Sequence, residues 1–230
     1  MKHRQSIIFN RLILKDQLNI GEIVHRLSQH MYIEERGLGL TAIHADDNLL
    51  TCTVLSKTPS TIQSYNEAQG ILENTIIQIF EEVEIMWDVD KQLLYTLASA
   101  TKFSKAKQLI RDCFSPNFCF GNVEFMQIGF IDKLRDSNYH IHISDLHIKK
   151  FHYRADAYGK FCVHIENSKI GEELFVEYSN NLSKVSLLLE DNCADEQNFR
   201  ISISPRNAIT IECRESYFDS ILNFIKEKIY

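Results

Sequence analysis

The stretch LTAIHADDNLLTCTVLSK, from Leu40 to Lys57, decides the fold of this 230-residue chain. Apolar and polar residues alternate on both sides of Asp46-Asp47-Asn48, and these three residues are of types that form turns. The pattern predicts a hairpin of two antiparallel strands from Leu40 to Ser56. Runs of such hairpins with helices at their ends indicate an α+β fold, with antiparallel sheets and helices packed on one face, and not a doubly wound parallel sheet.

Strands and helices are predicted along the rest of the chain from apolar residues that alternate or recur every three to four positions. The predicted strands are Ser6–Leu14, two strands folded about Asp88–Lys91, two or three within Tyr139–Glu166, Glu173–Ser179, Lys184–Asp191, and a hairpin about Pro205-Arg206-Asn207. The predicted helices are Ile20–Met31, Thr101–Phe114 with Ser99 or Thr101 as its cap, Val123–Ser137, and an amphipathic C-terminal helix, Ser216–Tyr230, that begins with Ser216. The polar stretch 58–74 predicts a loop with a short helix.

Ser115-Pro116-Asn117 interrupts the chain near its midpoint. Because the residue before a proline is kept out of the helical region, we expect a boundary there. This predicts an N-terminal half, residues 1–115, rich in hairpins, and a strand-rich C-terminal half, residues 116–230, that ends in a helix. One continuous domain is the alternative.

The composition is that of an ordinary globular protein, and its charge excludes one class of binding. The chain has 25 basic and 31 acidic side chains and a net charge of −6, so nucleic acid or anionic lipid could be attracted only by a local patch. Six scattered cysteines without a Cys-x-x-Cys pair predict free thiols in a reducing cytoplasm. No apolar run reaches the roughly 18 to 20 residues that span a bilayer, so we expect no membrane association.

The stretch HISDLHIKKFH, His142 to His152, comes nearest to a catalytic signature. Its Asp145 and His147, two residues apart at the end of a strand, resemble the first motif of calcineurin-like metallophosphoesterases. That resemblance implies a two-metal site, which needs further ligands from later motifs. The Gly-Asp, Gly-Asn-His and Gly-His-x-His motifs of that family do not follow in this sequence.

The same strand has a simpler interpretation. Apolar residues switch from odd to even numbers between Ile143 and Leu146, so we expect a bulge at Ser144-Asp145. The bulge aligns four polar side chains in one stripe: His140, His142, His147 and Lys149. Such a stripe fits a solvated sheet face, a mononuclear Zn or Ni site, or a contact surface for a partner or a phosphate.

Two stretches of the chain concentrate positive charge. In the first, IKKFHYRADAYGKF, cations alternate with aromatic residues, which is what a surface needs to neutralise phosphates and stack on bases. Its candidate contact residues are Lys149, Lys150, Arg154, Lys160, Tyr153 and Tyr158. The second stretch is the polar side of the helix that ends at Phe114, with Lys102, Lys105, Lys107 and Arg111. The alternative for both is that the aromatic rings fill the core and the cations are merely solvated.

Other catalytic templates are absent from the sequence. It contains no P-loop, no dinucleotide-binding glycine motif, no His-Glu-x-x-His and no Gly-x-Ser-x-Gly. The two glycines of RGLGL, Arg36 to Leu40, indicate a turn or a close approach of two backbone segments. We therefore assign no catalytic residue and expect no cofactor.

The first half of the sequence resembles the RdgC-like recombination-associated proteins. The matching stretches are FNRLILKDQLNIGEIVHRL (Phe9–Leu27), an opening strand and helix, and EIMWDVDKQLLYTLASATKFSKAKQLIRDCF (Glu84–Phe114), a Trp-bearing strand, a hairpin and a basic helix. The resemblance implies an α+β subunit that binds DNA. The chain is shorter than members of that family and has no clear counterpart of their later dimer-closing region.

Together these patterns favour a non-enzymatic binding subunit of a cytoplasmic multi-protein assembly that contacts nucleic acid through the basic stretches. A protein partner or a homo-oligomer is expected. Two alternatives stay open at this point. One is a metal-dependent phosphodiesterase or nuclease that uses His140, His142, Asp145 and His147. The other is a pure protein–protein interaction module that docks through a sheet edge or its C-terminal helix.

Overall fold

A computed structural model describes residues 2–68, 70–126, 128–135, 137, 139–154, 157–191, 198–205 and 207–229, with the side chains of all of these except 2, 128, 152–154, 157 and 158. The chain divides into two compact units. We call residues 11–121 the N-terminal unit, and residues 1–10 together with 122–230 the C-terminal unit.

Strands dominate both units. The strands are β1 (Lys2–Leu14), β2 (Leu38–Asp46), β3 (Leu49–Asn66), β4 (Ile71–Asp88), β5 (Leu93–Thr96), β6 (Phe118–Gly121), β7 (Tyr139–Arg154), β8 (Ala157–His164), β9 (Leu182–Asp191), β10 (Phe199–Ser204) and β11 (Ala208–Arg214). The helices are α1 (Ile20–Ser28), α2 (Ala100–Phe114), α3 (Ile128–Arg135), α4 (Ser168–Glu177) and α5 (Phe218–Lys228). The predicted class, a sheet-rich α+β fold with a C-terminal helix, is confirmed in this form.

In the N-terminal unit the strand order is β2-β3-β4-β5-β1, and β6 pairs with the last four residues of β1. The N-cap of helix α2 is Ser99, whose side chain accepts a hydrogen bond from the backbone N–H of Lys102, so one of the two predicted caps is confirmed. The apolar side of α2 covers the sheet, where the ring of Phe114 meets the ring of Trp87 edge to face at 5.6 Å between centroids.

The predicted hairpin about Asp46-Asp47-Asn48 is confirmed, and β3 continues well beyond it. β3 and β4 pair without interruption from Leu49 opposite Asp88 to Asn66 opposite Ile71. The loop and short helix predicted for residues 58–74 are therefore wrong. Threonine and isoleucine in that stretch favour extended backbone because they branch at Cβ. The polar side chains had indicated a solvated loop, but the backbone N–H and C=O groups are hydrogen-bonded to the partner strand instead.

Both expectations for the RGLGL stretch are met. Gly37 has φ of +64°, a left-handed conformation that glycine adopts without steric cost. Gly39 lies against another backbone segment, since a Cβ atom placed on it would stand 2.4 Å from the Cα of Tyr32. The backbone N–H of Tyr32 donates to the carbonyl of Leu40 at 2.8 Å, which holds the two segments at this distance.

In the C-terminal unit the strand order is β1-β11-β10-β9-β7-β8. The predicted hairpin around residues 205–207 is confirmed by β10 and β11, although Arg206 lies outside the described residues. The ring of Phe224, on α5, packs edge to face against Phe199 and Tyr139.

The strand predicted at Glu173–Ser179 is wrong, because most of this stretch belongs to α4, whose buried side is formed by Gly171 and Phe175, four positions apart. The strand predicted at Lys184–Asp191 is confirmed by β9. α3 covers only part of the predicted Val123–Ser137.

The beginning of the C-terminal helix differs from the prediction. A short 3₁₀ turn spans Glu215–Tyr217, and α5 itself begins at Phe218. Ser216 is therefore not the cap. The N-cap position is held by Tyr217, the last residue of the 3₁₀ turn, and its side chain makes no capping bond.

The unit boundaries also differ from the predicted halves, 1–115 and 116–230. The first ten residues belong to the C-terminal unit, and the later boundary falls between Gly121 and Asn122. The reason is strand pairing, since Lys2–Ile8 pair with β11 while Leu14 pairs with Phe118 of β6. Among the described residues, no helix has both the length and the apolar character needed to cross a membrane.

Replacement of Gly39 by alanine is expected to destabilise the protein by about 1–3 kcal/mol, because the new methyl group meets the backbone of Tyr32, which cannot rotate away. Gly129→Ala is the matched control, since no atom lies within 4 Å of its Cβ position. Urea unfolding followed by far-UV circular dichroism measures both. Equal midpoints for the two variants would contradict the close backbone approach.

Candidate nucleic-acid interface

Three of the predicted lysines meet at the outer end of the β7–β8 hairpin. Beyond Ile148, β7 pairs with β8 but no longer with β9. Between the pairs Ile148–Phe161 and Phe151–Gly159, β7 has two residues where β8 has one. The two are Lys149 and Lys150, and the one opposite them is Lys160. We call these three exposed residues the lysine bulge.

The lysine bulge is an electrostatically unfavourable arrangement in the protein alone. Like charges directly opposite each other in a sheet destabilise the pairing. Among the ion pairs of the described residues, none involves these three lysines. The cost of the repulsion is modest because water screens the charges, and a bound polyanion would remove it.

Aromatic rings lie beside the lysine bulge. The rings of Phe151 and Phe161 stack with 4.5 Å between centroids and 25° between planes, and Tyr178 approaches Phe151 at 5.6 Å. The side chain of Phe161 remains 37% exposed, so part of the stack is open to solvent.

Sequence reasoning identified only part of this cluster. The side chains of Arg154, Tyr153 and Tyr158, all predicted contacts, lie outside the described residues. Phe161 directly follows Lys160, so the predicted set ended one residue too early. Tyr178 follows α4, and no signal in the sequence connected it with the basic stretch.

The second predicted basic set, on α2, is placed differently. Nζ of Lys105 lies 2.7 Å from Glu81 of β4, and Nζ of Lys102 lies 3.7 Å from the same carboxylate. The hydrogen bond from Lys105 lowers the pKa of Glu81, so the carboxylate stays ionised. Lys105 also donates to the hydroxyl of Thr58 at 2.9 Å. Glu81 thus neutralises part of the positive charge of this helix.

The other two cations of α2 are also engaged. Nζ of Lys107 lies over the rings of Phe103 and Phe120, at 5.2 and 5.7 Å from their centroids. Partial burial, together with the charge of Arg111, lowers the pKa of Lys107. Arg111 donates to the side-chain oxygen of Gln108 at 2.8 Å. The α2 set is therefore less able than the lysine bulge to exchange its present contacts for phosphates.

The predicted bulge at Ser144-Asp145 is confirmed. The β7–β9 register shifts between Ile143 opposite Leu187 and Asp145 opposite Ser186, which leaves Ser144 as the extra residue. The buried Ser144 hydroxyl lies 2.8 Å from Asp145 Oδ2, to which it donates. The bulge keeps Ile143 and Leu146 on the buried face of β7 although their spacing is odd.

The histidines and aspartate of the metal hypothesis make other contacts. His142 Nε2 donates to the carbonyl of Ile165 at 2.8 Å, which leaves that nitrogen protonated and unsuited to bind a metal. Asp145 accepts from His164 Nδ1 at 3.0 Å and lies 3.8 Å from Arg200. Within the described part of the chain, no three His, Cys, Asp or Glu side chains converge in a way that could hold a metal ion. His140 is exposed and His147 half-buried on the same strand.

Asp145 is the centre of a small polar network that the sequence did not reveal. Burial raises the pKa of Asp145, but hydrogen bonds from His164 and Ser144 and the charge of Arg200 outweigh this effect, so its pKa lies below that of an ordinary aspartate. His164 and Arg200 come from β8 and β10. Their convergence depends on strand order, which local patterns do not encode.

A separate cavity of about 500 Å³ lies within the C-terminal unit. Apolar walls are supplied by Phe125 and Phe175, and amide groups by Asn122 and Asn207, whose side chains are joined by a 3.0 Å hydrogen bond. Its lining comes from three distant stretches of the sequence, so no local motif predicted it.

Comparison of the sequence with protein-family models and with curated proteins gives no match. The resemblance to RdgC-like proteins therefore stays a prediction. The functional argument depends on the chemistry of the residues described above.

Replacement of Asp145 by asparagine is expected to lower stability by roughly 1 kcal/mol at pH 7. Because the folded-state pKa of Asp145 is lowered, its stabilising effect is present above the unfolded pKa of about 3.9 and is lost as the pH falls through the folded value. Urea unfolding of both proteins between pH 7 and pH 3 should show the difference shrinking with acid. Asp46→Asn, at an exposed position, is the control, and a pH-independent difference for Asp145→Asn would contradict this account.

Proposed function

We propose that this chain is a non-enzymatic binding subunit of a cytoplasmic assembly and that it contacts the backbone of nucleic acid through the lysine bulge. The observation that carries the proposal is the meeting of Lys149, Lys150 and Lys160 on an exposed hairpin, without a described acidic partner. Three uncompensated cations side by side cost stability, so their arrangement is best explained by an anionic ligand.

A polymer with many phosphates fits this arrangement better than a single small anion. The three lysines lie on two paired strands of an exposed hairpin, Lys149 and Lys150 on one and Lys160 opposite them, so they present a charged surface to neighbouring phosphates of one chain. Each neutralised phosphate releases condensed counterions, which gives binding a steep dependence on salt. The net charge of −6 supplies no general attraction, so binding is confined to the local patch.

The aromatic stack favours single-stranded over double-stranded ligands. Bases in a duplex are already stacked on each other, whereas unpaired bases gain free energy by stacking on a protein ring. The exposed part of the Phe151–Phe161 stack is close in the chain to the cations that would hold the backbone. Lys160 and Phe161 are consecutive residues of β8, so their side chains point to opposite faces of the hairpin. Because β8 is the last strand of its sheet, a single strand that passes around this edge can use both.

The sheet of the C-terminal unit extends this surface. We expect its helices to pack on one face, as the contacts of α4 Gly171 with Ile143 and of α5 Phe224 with Phe199 suggest. The other face carries the half-buried cross-strand partners His147 and Lys184, next to the hairpin. These side chains continue the contacts with phosphates from the hairpin onto the sheet.

The resemblance of the first half to RdgC-like DNA-binding proteins agrees with this proposal. The metal-dependent phosphodiesterase has less support, because Asp145 and His142 already use the atoms that a metal would need. Lys102, Lys105, Lys107 and Arg111 are assigned a secondary part in the same function, since their present contacts would have to be broken first.

The triple replacement Lys149→Gln, Lys150→Gln, Lys160→Gln tests the proposal. Fluorescence anisotropy with labelled single-stranded DNA and RNA should show affinity reduced by about tenfold or more at low salt. The slope of log affinity against log salt should become shallower by about 2, as expected for the loss of three phosphate contacts to a single strand.

The matched control is the triple replacement Lys102→Gln, Lys105→Gln, Arg111→Gln, which removes the same charge from α2. Its effect on binding should be smaller, because Glu81 already neutralises part of that charge. Thermal unfolding verifies that both variants are folded. The proposal would be overturned if the lysine-bulge variant bound as well as the natural protein, or if the natural protein did not bind at low salt. Cleavage of the probe that a chelator prevents would favour the metal-dependent enzyme.

Replacement of Phe161 by alanine tests the stacking contribution. We expect a loss of about 1–3 kcal/mol in binding of single strands and little change for duplexes. Leu97→Ala is the control, because Leu97 is a large apolar residue of similar exposure, 39%, in the N-terminal unit. An equal loss for single and double strands would exclude base stacking on Phe161.

A further inference from the structure

The distal part of the β3–β4 hairpin extends beyond the other strands of the N-terminal unit. β2 pairs with β3 only as far as Ser56, and β5 pairs with β4 only at Met86–Asp88. Residues 58–66 and 71–79 therefore pair only with each other among the described strands. We call residues 58–80 the arm.

The arm leaves many large apolar side chains uncovered. Of the thirteen exposed large apolar side chains among the described residues, seven belong to it: Ile62, Tyr65, Ile71, Leu72, Ile76, Ile79 and Phe80. Cross-strand partners share a face, and the pairs Tyr65–Leu72 and Asn66–Ile71 lie on opposite faces, so both faces are apolar. An isolated two-stranded hairpin is marginally stable in water, and this one needs a cover.

The charge of the arm excludes nucleic acid as that cover. Glu67 and Glu73 are the only ionisable acids or bases of the Asp, Glu, Lys and Arg types between residues 58 and 80. A surface with two carboxylates and no cation repels phosphates. The arm is therefore suited to an apolar protein surface.

The exposed area of one face of the arm approaches what a protein interface needs. Tyr65, Leu72, Ile76 and Phe80 share a face and are between 53% and 69% exposed. At about 200 Å² for a fully exposed large side chain, they present about 500 Å². Two copies together present about 1,000 Å², the lower end of the area that a specific interface buries.

The two edges of the arm differ in how well they are protected against pairing. β3 carries Pro59 and is preceded by Lys57, residue types that discourage the addition of another strand. The edge of β4 from Ile71 to Phe80 has no proline and no lysine, and Glu73 is its only charge. An unprotected antiparallel edge can pair with its own copy, because two-fold rotation brings the same strand against itself in the opposite direction.

We propose that β4 of the arm pairs with β4 of a second copy of this chain about a two-fold axis at Ile76, which joins the two arms into a four-stranded ribbon. This register sets Ile76 against its own copy and Leu72 against Phe80 of the second copy. These are three of the more exposed apolar residues of the arm, and their even spacing puts them on one face. Glu73 then faces Ile79 and is kept apart from the second Glu73. The inference does not depend on the proposed nucleic-acid function.

Light scattering coupled to size-exclusion chromatography tests the dimer. The natural protein should have twice the chain mass of 26.8 kDa, and Ile76→Lys should raise the dimer dissociation constant at least about tenfold, because a cation placed at the axis meets its own copy. Ile170→Lys is the matched control, since Ile170 is 51% exposed on α4 and lies outside the arm. A monomeric natural protein at about 100 µM, or equal behaviour of the two variants, would overturn the inference.

Disulfide trapping tests the register. In a background with Cys119, Cys162 and Cys193 replaced by serine, Ile76→Cys should form a covalent dimer under mild oxidation, because residues at the axis have Cβ atoms about 4.5–5.5 Å apart. Ile62→Cys, on the other strand of the arm, should remain a monomer on the denaturing gel. A mixture of Leu72→Cys and Phe80→Cys proteins should also form a covalent dimer. A disulfide at Ile62→Cys and none at Ile76→Cys would show that the arm pairs through its other edge, which would refute the proposal.

Discussion

The alternation of side chains between the two faces of an antiparallel strand is the constraint on which the rest of the structure depends. Each strand has one apolar face to bury, and a single extra residue would move every later side chain to the wrong face. β7 meets this constraint with bulges, and two of them shape the candidate site. The first, at Ser144, keeps Ile143 and Leu146 on the buried face. The second accommodates Lys149 and Lys150 opposite Lys160, so the feature that keeps the strand pairing in order also concentrates its positive charge.

The two basic regions differ in the local environment of their cations more than in the number of cations. Those of α2 lie opposite Glu81 on a neighbouring strand or over the rings of Phe103 and Phe120. The lysine bulge lies on a hairpin with no such partner among the described residues. Two surfaces of similar composition thus differ in the free energy that a phosphate would gain from them.

The sequence predicted the hairpins and the cap of α2 because these depend on nearby residues, such as the turn at Asp47 and the capping side chain of Ser99. It failed at residues 58–74, where polar residues are compatible with either a loop or an exposed strand, and only the long pairing of β3 with β4 distinguishes the two. It failed also at the start of β1, whose first residues pair with β11, roughly 200 positions later in the chain. Local periodicity contains no information about such distant pairing.

The sequence by itself determined the class of the fold, the bulge at Ser144 and the concentration of positive charge around Lys149. These follow from residue type and spacing within a few positions. Tertiary structure alone decided which cations are neutralised, that Asp145 joins His164 and Arg200, and that the arm projects with both faces apolar. The physical reason is that ion pairs and burial depend on distances in space between strands, and strand order is set by long-range backbone hydrogen bonds that no short stretch of sequence specifies.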